Sequence, residues 1–312
     1  MKISFICPIY NKLKFLPMVT KGIFGQIGSF DKEYLFIDDG SQDGSLDEIK
    51  RLTKKKKSVK IISHNNKGPA FSTQRGIQLA KGDYIKLVGG DDYIFPKCTS
   101  ILLEGLKKTN AVAIFSNYIL EDYLQKKVNN NLCKTKLSNL RKIIKPTNQT
   151  LLRCFSGTSP TLYCHKAIKD SDGCNVKLFV EDFSLALELS KLGNFAFIDN
   201  ITSVGPKNDQ SRIMINNEAQ LFHDYNAAIY FFLKKNKLND KSILKKITIK
   251  CLGRSSKYAR RILKEKYFNE MTLLRIGLFL KNNSESKLID LIKKSCEFFY
   301  KSEIKSKIRY KI

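Results

Sequence analysis

Short apolar runs alternate with amphipathic stretches over residues 1–115. The runs are residues 3–8, 34–37, 59–62, 84–88 and 111–115. Their length suits buried strands, and the stretches between them space apolar residues as one face of a helix does. Strands that alternate with helices of this length predict a parallel sheet with helices on both faces. We therefore expect the first part of the chain to be α/β.

Two pairs of adjacent aspartates follow predicted strands. Asp38 and Asp39 come directly after the second strand, and Asp91 and Asp92 follow the fourth after two glycines. Two like charges side by side repel each other, so they favour a fold only when a cation lies beside them. Ligands of open parallel sheets bind outside the carboxyl ends of the strands. The pairs therefore indicate a ligand site, and the alternative is that each forms a solvated turn with a helix cap. Nearby Asp43 does suit the role of a cap for the helix that follows the second strand.

Carboxylates at these positions suit one kind of chemistry. Asp91 and Asp92 are hard oxygen ligands of the kind that Mg²⁺ or Mn²⁺ prefers when the ion also carries a diphosphate. Such an ion neutralises charge on a leaving phosphate. A second carboxylate must then take a proton from the attacking hydroxyl, and Asp182 is the best candidate for this base. The alternative for Asp182 is an ordinary acid at a helix N-terminus.

Several motifs occur in a fixed order along the chain. They are Pro8-Ile9-Tyr10-Asn11, Phe36-Ile37-Asp38-Asp39-Gly40-Ser41, Asn66-Lys67-Gly68, Ala80-Lys81-Gly82-Asp83 before Asp91-Asp92, and later Glu181-Asp182. On these motifs the chain resembles the inverting GT-A glycosyltransferases of family 2. The resemblance covers roughly residues 3–120 and the later acidic pair. It implies a GT-A fold, Rossmann-like and typical of nucleotide-diphospho-sugar transferases, and transfer of a sugar from a nucleotide-sugar donor to a glycan or lipid-linked acceptor.

The resemblance also implies roles for individual residues. Donor-binding residues would be Pro8, Tyr10, Asn11, Asp38, Asp39 and Gly68. Asp91 and Asp92 would hold Mn²⁺ or Mg²⁺, and Asp182 would be the general base with Glu181 as its nearest rival. The family commonly has a further aspartate where this chain has Gly89. The metal site must then rely on Asp91, Asp92 and the diphosphate itself.

Basic residues concentrate in the later part of the chain. The formal net charge is +27, and residues 126–312 hold 37 Lys and Arg against 16 Asp and Glu. From Lys241 onward lysine clusters alternate with apolar groups, which predicts helices with one basic and one apolar face. Three interpretations stay open: docking on an anionic membrane, binding of nucleic acid, or packing on the catalytic domain with a solvated basic face. The tail has no recognisable nucleic-acid motif, so no nucleic acid is expected as a partner.

The expected organisation has two parts. Residues 1–212 form the GT-A domain, with a nucleotide-sugar half at 1–120 and an acceptor half at 121–212, and residues 213–312 form a basic helical region. Within the acceptor half we expect a basic helix at 132–145, a small-residue turn at 156–159 and a polar loop at 203–211. The family resemblance implies that the turn lines the acceptor cleft, and the alternative is that it is only a turn. A sugar nucleotidyltransferase is the alternative enzyme, but it usually needs a glycine-rich, basic phosphate loop after the first strand. Pro8-Ile9-Tyr10-Asn11 is not such a loop.

Composition narrows the expected location. No run of about 20 apolar residues predicts a membrane span, and the apolar start ends at Pro8, unlike a secretion signal. Eight cysteines without a Cys-x-x-Cys pair and three histidines argue against a zinc site or a disulfide framework. We therefore expect a cytoplasmic enzyme of bacterial type, and a peripheral location on the inner face of the membrane stays open. The family resemblance implies that its product is a surface polysaccharide, a lipooligosaccharide or another glycoconjugate. Nothing in the sequence indicates an oligomeric state.

Overall fold

The computed structural model describes residues 1–122, 129, 132, 134, 136–153, 155, 157–207, 209, 217–280, 283–300 and 308–312. The strands are β1 Lys2–Ile9, β2 Asp31–Asp38, β3 Val59–Ser63, β4 Tyr84–Leu87, β5 Tyr93–Ile94, β6 Ala113–Glu121, β7 Arg141–Ile143, β8 Thr161–Cys164 and β9 Phe195–Pro206. The helices are α1 Leu16–Phe24, α2 Ser45–Thr53, α3 Pro69–Leu79, α4 Cys98–Thr109, α5 Thr147–Arg153, α6 His165–Lys169, α7 Glu181–Leu189, α8 Glu218–Lys235, α9 Lys241–Arg261, α10 Glu270–Leu280 and α11 Glu285–Glu297.

The nine strands within the described residues belong to one mixed sheet. Its order is β3-β2-β1-β4-β8-β6-β9-β5, and β7 pairs with β9 beside this path. Strands β1 to β4 are parallel to one another, as the sequence predicts, but β8 enters between β4 and β6 and is antiparallel to both. The α/β class is therefore confirmed, with a sheet that is only partly parallel.

Helices cover both faces of the sheet. Since successive side chains of a strand point to opposite faces, each strand contributes apolar side chains to a core on either face. On β1, Ile3 and Phe5 enter the core formed with α1 and α4, whereas Ile6 enters the core formed with α3 and α7. All three side chains are almost fully buried. This two-sided burial explains why the strands read as continuous apolar runs in the sequence.

The helices α8 to α11 form a third hydrophobic cluster together with α5 and α7. Helix α9 begins after Asp240, whose side chain accepts a hydrogen bond from the backbone N–H of Ile243 at 3.0 Å. The expected helical C-terminal region is thus confirmed. Helix α7 contributes Phe183 and Leu187 to this cluster and Leu185 to the sheet core, so it joins the sheet to the helices.

Two local expectations are wrong. Residues 132–145 do not form a helix, because Arg141–Ile143 forms strand β7 and pairs with β9. Residues 203–211 do not begin as a loop, because β9 runs to Pro206 and Ser203 is fully buried opposite Ile94 and Tyr118. In both places pairing with a distant strand overrides the local polar composition. No helix in the described ranges is long and apolar enough to cross a membrane.

Candidate active site

A cleft of about 570 Å³ opens at the carboxyl ends of β1, β2 and β4. Eight of the ten residues that the sequence singles out line it: Pro8, Tyr10, Asp39, Gly68, Asp91, Asp92, Glu181 and Asp182. The ends of parallel strands meet at one edge of a sheet, which brings the first six together. Glu181 and Asp182 reach the cleft because they form the first turn of α7, which begins there.

Asp39 lies at the end of the cleft that the β2 and β3 loops form. It is almost fully buried, and its carboxylate accepts hydrogen bonds from the backbone N–H groups of Lys67 at 2.7 Å and Gly68 at 2.8 Å. The Nδ1 atom of His64 is 3.4 Å from the same carboxylate. Asp39 therefore fixes the loop that precedes α3, and we expect its removal to lower stability as well as to change the cleft.

Gly68 ends that loop in a conformation that suits glycine. Its φ angle is +94°, and it caps α3 immediately before Pro69. An L side chain rarely adopts this conformation. The glycine therefore allows the chain to turn from the β3 loop into the helix at the wall of the cleft.

Asn11 and Asp38 are not among the cleft-lining residues. The side chain of Asn11 accepts a hydrogen bond from the Gln42 backbone N–H at 2.9 Å. Asp38 is buried and accepts from the Ser63 hydroxyl at 2.8 Å and from the Ser41 backbone N–H at 3.3 Å. These contacts brace the loop after β2 against its neighbours, so both residues support the walls of the cleft from outside it.

Asp91 and Asp92 have different surroundings although they are adjacent. Asp91 Oδ2 is 2.6 Å from Lys12 Nζ, in a pair whose side chains are largely shielded from solvent. Asp92 Oδ2 accepts from the Ser159 hydroxyl at 2.5 Å, and Oδ1 is 3.4 Å from the Tyr118 hydroxyl. The positive charge of Lys12 therefore offsets part of the repulsion between the two adjacent carboxylates.

Ser159 ties the loop before β8 to the end of β4. Besides donating to Asp92, its hydroxyl accepts from the Gly89 backbone N–H at 2.9 Å. Its carbonyl accepts from Lys86 Nζ, a fully buried ammonium that also donates to the Leu87 carbonyl at 3.1 Å. Burial lowers the pKa of Lys86. This network sets the position of the two aspartates relative to the loop at 157–160.

The chain by itself offers a divalent ion few ligands. Among the residues that the structure describes, no group of three or more His, Cys, Asp or Glu side chains could hold a metal ion. Mg²⁺ is commonly bound by one or two carboxylates together with substrate phosphates. Asp91 and Asp92 therefore fit an ion whose coordination a bound diphosphate completes.

Glu181 and Asp182 begin α7 on the other side of the cleft. Burial raises the pKa of Glu181 to about 8, and the charge of Asp182 adds to the rise. Burial also raises the pKa of Asp182, but its carboxylate accepts from the backbone N–H groups of Gly157 at 2.5 Å and Phe183 at 2.7 Å, which lowers it. Glu181 accepts from the Thr158 hydroxyl at 3.0 Å. Asp182 is thus the better stabilised as a carboxylate.

Sequence reasoning missed Lys12, Tyr118 and Arg309, all of which line the cleft. Lys12 directly follows the Pro8-Ile9-Tyr10-Asn11 motif, which is the one local signal that could have drawn attention to it. The expected cleft-lining turn at 156–159 includes Gly157 and Thr158, which do line the cleft. Ser156 lies outside the described residues. The six cysteines that the structure describes as free form no disulfide.

Comparison with known proteins identifies relatives. Residues 4–168 match the family model described as "Glycosyl transferase family 2". A cholesterol galactosyltransferase of Borreliella burgdorferi is 31% identical over 119 residues, which is 38% of this chain and 33% of that protein. This chain thus spans about a third of the length of that relative.

Solved structures show the same fold. TarS from S. aureus, in complex with UDP-GlcNAc, superposes with a TM-score of 0.65 at 17% identity over 96% of this chain and 89% of the other. A mannosyltransferase from Pyrobaculum calidifontis, in complex with GDP-Man and Mn²⁺, superposes with a TM-score of 0.61 at 12% identity over 95% and 85%. These likenesses establish the GT-A fold.

Proposed function

Because this chain belongs to glycosyltransferase family 2, we propose that it transfers a sugar from a nucleoside-diphosphate sugar to a glycan or lipid-linked acceptor with inversion at the anomeric carbon. The observation that carries the proposal is one cleft onto which both acidic pairs, Asp91-Asp92 and Glu181-Asp182, open. The nucleotide-sugar complexes of the two structural relatives support a donor of this class.

The proposed reaction is a single displacement. The acceptor hydroxyl oxygen forms a bond to the anomeric carbon while the bond from that carbon to the diphosphate oxygen breaks. The hydroxyl proton passes to a carboxylate of the enzyme, and the nucleoside diphosphate leaves with the electron pair. The enzyme therefore needs one base on the acceptor side and positive charge on the phosphate side.

Asp182 is the proposed base. The N–H groups of Gly157 and Phe183 stabilise its charged form and fix its direction. Glu181, with its pKa raised to about 8, is mostly protonated at neutral pH and is a poorer acceptor of a proton. Burial raises the pKa of Asp182 above its ordinary value. A carboxylate that is more basic than usual suits proton transfer near neutral pH.

Asp91 and Asp92 are the proposed holders of Mn²⁺ or Mg²⁺, which would supply Lewis-acid neutralisation of the leaving diphosphate when bound. Lys12 already places a positive charge beside Asp91. Asp39 and Gly68 are proposed to shape the donor-binding part of the cleft, since both line it next to the β3 loop. Neither a nucleic-acid-binding protein nor a nucleotidyltransferase gains support from the acidic cleft or from the relatives.

A screen of nucleotide sugars tests the proposal. Purified protein is incubated with Mn²⁺ and a panel of UDP-, GDP- and CDP-sugars, and release of the nucleoside diphosphate is measured. We expect slow hydrolysis of one donor, reduced in the Asp182→Asn variant. Failure of every donor to bind or to turn over would overturn the proposal.

We also propose that the acceptor is reached at an anionic membrane surface. The apolar stripe of α10 is split: Met271 and Leu278 are buried, whereas Leu273, Phe279 and Leu280 are exposed. The exposed basic residues Lys257, Arg260, Arg261, Lys264 and Lys266 lie just before this helix. Exposed apolar side chains preceded in the chain by exposed cations suit an interface with anionic lipid.

A further inference from the structure

The chain returns to the cleft at its last described residues, 308–312. Ile308 is buried in the helical cluster. The backbone N–H of Arg309 donates to Gln220 Oε1 of α8 at 2.8 Å. The Tyr310 hydroxyl accepts from Lys177 Nζ at 2.8 Å. Contacts on both sides of Arg309 therefore hold its backbone in place.

The side chain of Arg309 reaches the loop that Asp39 fixes. Its Nη2 atom donates to Asn66 Oδ1 at 2.5 Å and to the Asn66 carbonyl at 3.2 Å. Its Nη1 atom lies against Gly68, where an added Cβ would come within 2.5 Å of it. The guanidinium thus occupies the wall of the cleft beside the N-terminal end of α3.

The charge of Arg309 has no acidic partner within the described part of the chain. Its Nη2 atom donates to two neutral oxygens of Asn66. Lys12, another cation that lines the cleft, is instead paired with Asp91 at 2.6 Å. Arg309 therefore brings positive charge to the cleft wall that no described carboxylate neutralises.

We propose that Arg309 binds the diphosphate of the nucleotide-sugar donor. The diphosphate is the anionic group of such a donor, and a guanidinium presents a planar set of N–H donors that matches phosphate oxygens. The inference rests on the proposed function, since it needs a nucleoside-diphosphate sugar in this cleft. It means that a segment 243 residues after Asn66 completes the donor site.

Calorimetry on the full chain tests the inference. UDP and GDP are titrated into the wild type, and the diphosphate that binds is compared with its nucleoside in Arg309→Met, Arg309→Lys and Lys311→Met. We expect Arg309→Met to weaken binding of the diphosphate about 10- to 100-fold, as for loss of a charge-assisted hydrogen bond, and to leave the affinity for the nucleoside unchanged. The diphosphate affinity of Arg309→Lys should lie between those of the wild type and Arg309→Met, because lysine keeps the charge but lacks the planar set of N–H donors. Lys311→Met, which removes an exposed charge from the same segment, should match the wild type.

The outcomes separate the two proposals. A wild type that binds neither UDP nor GDP, and no donor of the nucleotide-sugar panel, would overturn the proposed function and this inference together. Equal diphosphate affinity in the wild type and in a folded Arg309→Met would leave donor binding intact and overturn the role of Arg309. Equal loss for nucleoside and diphosphate would overturn the diphosphate assignment, because the contact would then be to the base or ribose.

Discussion

At the scale of single residues, Glu181 and Asp182 are neighbours whose carboxyl groups have different partners. The two backbone N–H groups that contact Asp182 favour its ionised form, whereas Glu181 accepts a hydrogen bond from the Thr158 hydroxyl at 3.0 Å. We expect Asp182→Asn to lower transfer about 10²- to 10⁴-fold while affinity for the nucleoside diphosphate is kept. Initial rates and calorimetry measure the two quantities. Glu181→Gln is the matched control, and a crippled Glu181→Gln beside an active Asp182→Asn would reverse the assignment.

The raised pKa of Glu181 also predicts how stability depends on pH. The native state keeps this proton up to about pH 8, whereas the ordinary value for a glutamate is 4.5. Between these values the native state binds more protons than the unfolded state, so stability is present at low pH and is lost as pH rises. We expect the melting temperature of the wild type to fall more from pH 5 to 8.5 than that of Glu181→Gln. Parallel curves for the two proteins would contradict this explanation.

Asp91 is the residue at which the metal proposal is tested. Its carboxylate contacts Lys12 and opens on the cleft, so Asp91→Asn should keep the fold and lose an ion ligand. We expect at least about a 100-fold loss of activity, and a similar loss when EDTA is added to the wild type. Circular dichroism checks the fold of the variant. Activity that neither the substitution nor EDTA changes would show that the reaction proceeds without the ion.

At the scale of elements, α3 lies close against the sheet at Gly76. A Cβ at this position would come within 2.4 Å of Ile6 Cγ2, and Ile6 is fully buried in β1. We expect Gly76→Ala to lower the free energy of unfolding by about 1–3 kcal/mol through overpacking, less the roughly 1 kcal/mol that alanine gains in a helix. Urea denaturation measures the change.

Gln78→Ala is the control for this helix, because Gln78 is exposed on α3. Its free energy of unfolding should stay within about 0.5 kcal/mol of the wild type. A Gly76→Ala variant as stable as this control would mean that α3 can move away from β1 without cost. Since α3 begins directly after Gly68, such freedom would also loosen the wall of the cleft.

At the scale of the whole molecule, the exposed face of α10 predicts membrane binding. Removing residues 241–312 would strip the cluster that α8 and α9 share, so substitutions are the better test. We expect the wild type to sediment with anionic vesicles and to lose binding at high salt, because salt screens exposed charges. Phe279→Ser with Leu280→Ser, at side chains 66% and 80% exposed, should reduce binding while the fold is kept.

Leu192→Ser serves as the control for α10, because Leu192 is 42% exposed outside the tail. It should sediment as the wild type does. Equal sedimentation with neutral vesicles, or none at low salt, would contradict membrane docking. A dimer in solution that the α10 substitutions dissociate would instead identify this face as a contact between two copies.

Much of this protein follows from its sequence alone. Apolar runs of strand length, helical spacing and the motifs at the strand ends predict the α/β class and assign the acidic pairs to one edge of the sheet. Of these two aspartate pairs, Asp39, Asp91 and Asp92 do line one cleft, whereas Asp38 supports its wall from outside. These features are local, because side-chain periodicity and turn chemistry are determined within a few residues.

Tertiary structure decided the rest, because it depends on partners far apart in the chain. The contact of Lys12 with Asp91 spans 79 positions, and the insertion of β8 between β4 and β6 turns a parallel sheet into a mixed one. Strand β7 contains two basic residues, and it forms because its backbone pairs with β9. Arg309 reaches Asn66 only because the helical cluster anchors the segment that carries it. Such pairings are selected by burial and backbone hydrogen bonding over the whole fold, which the composition of a short segment does not encode.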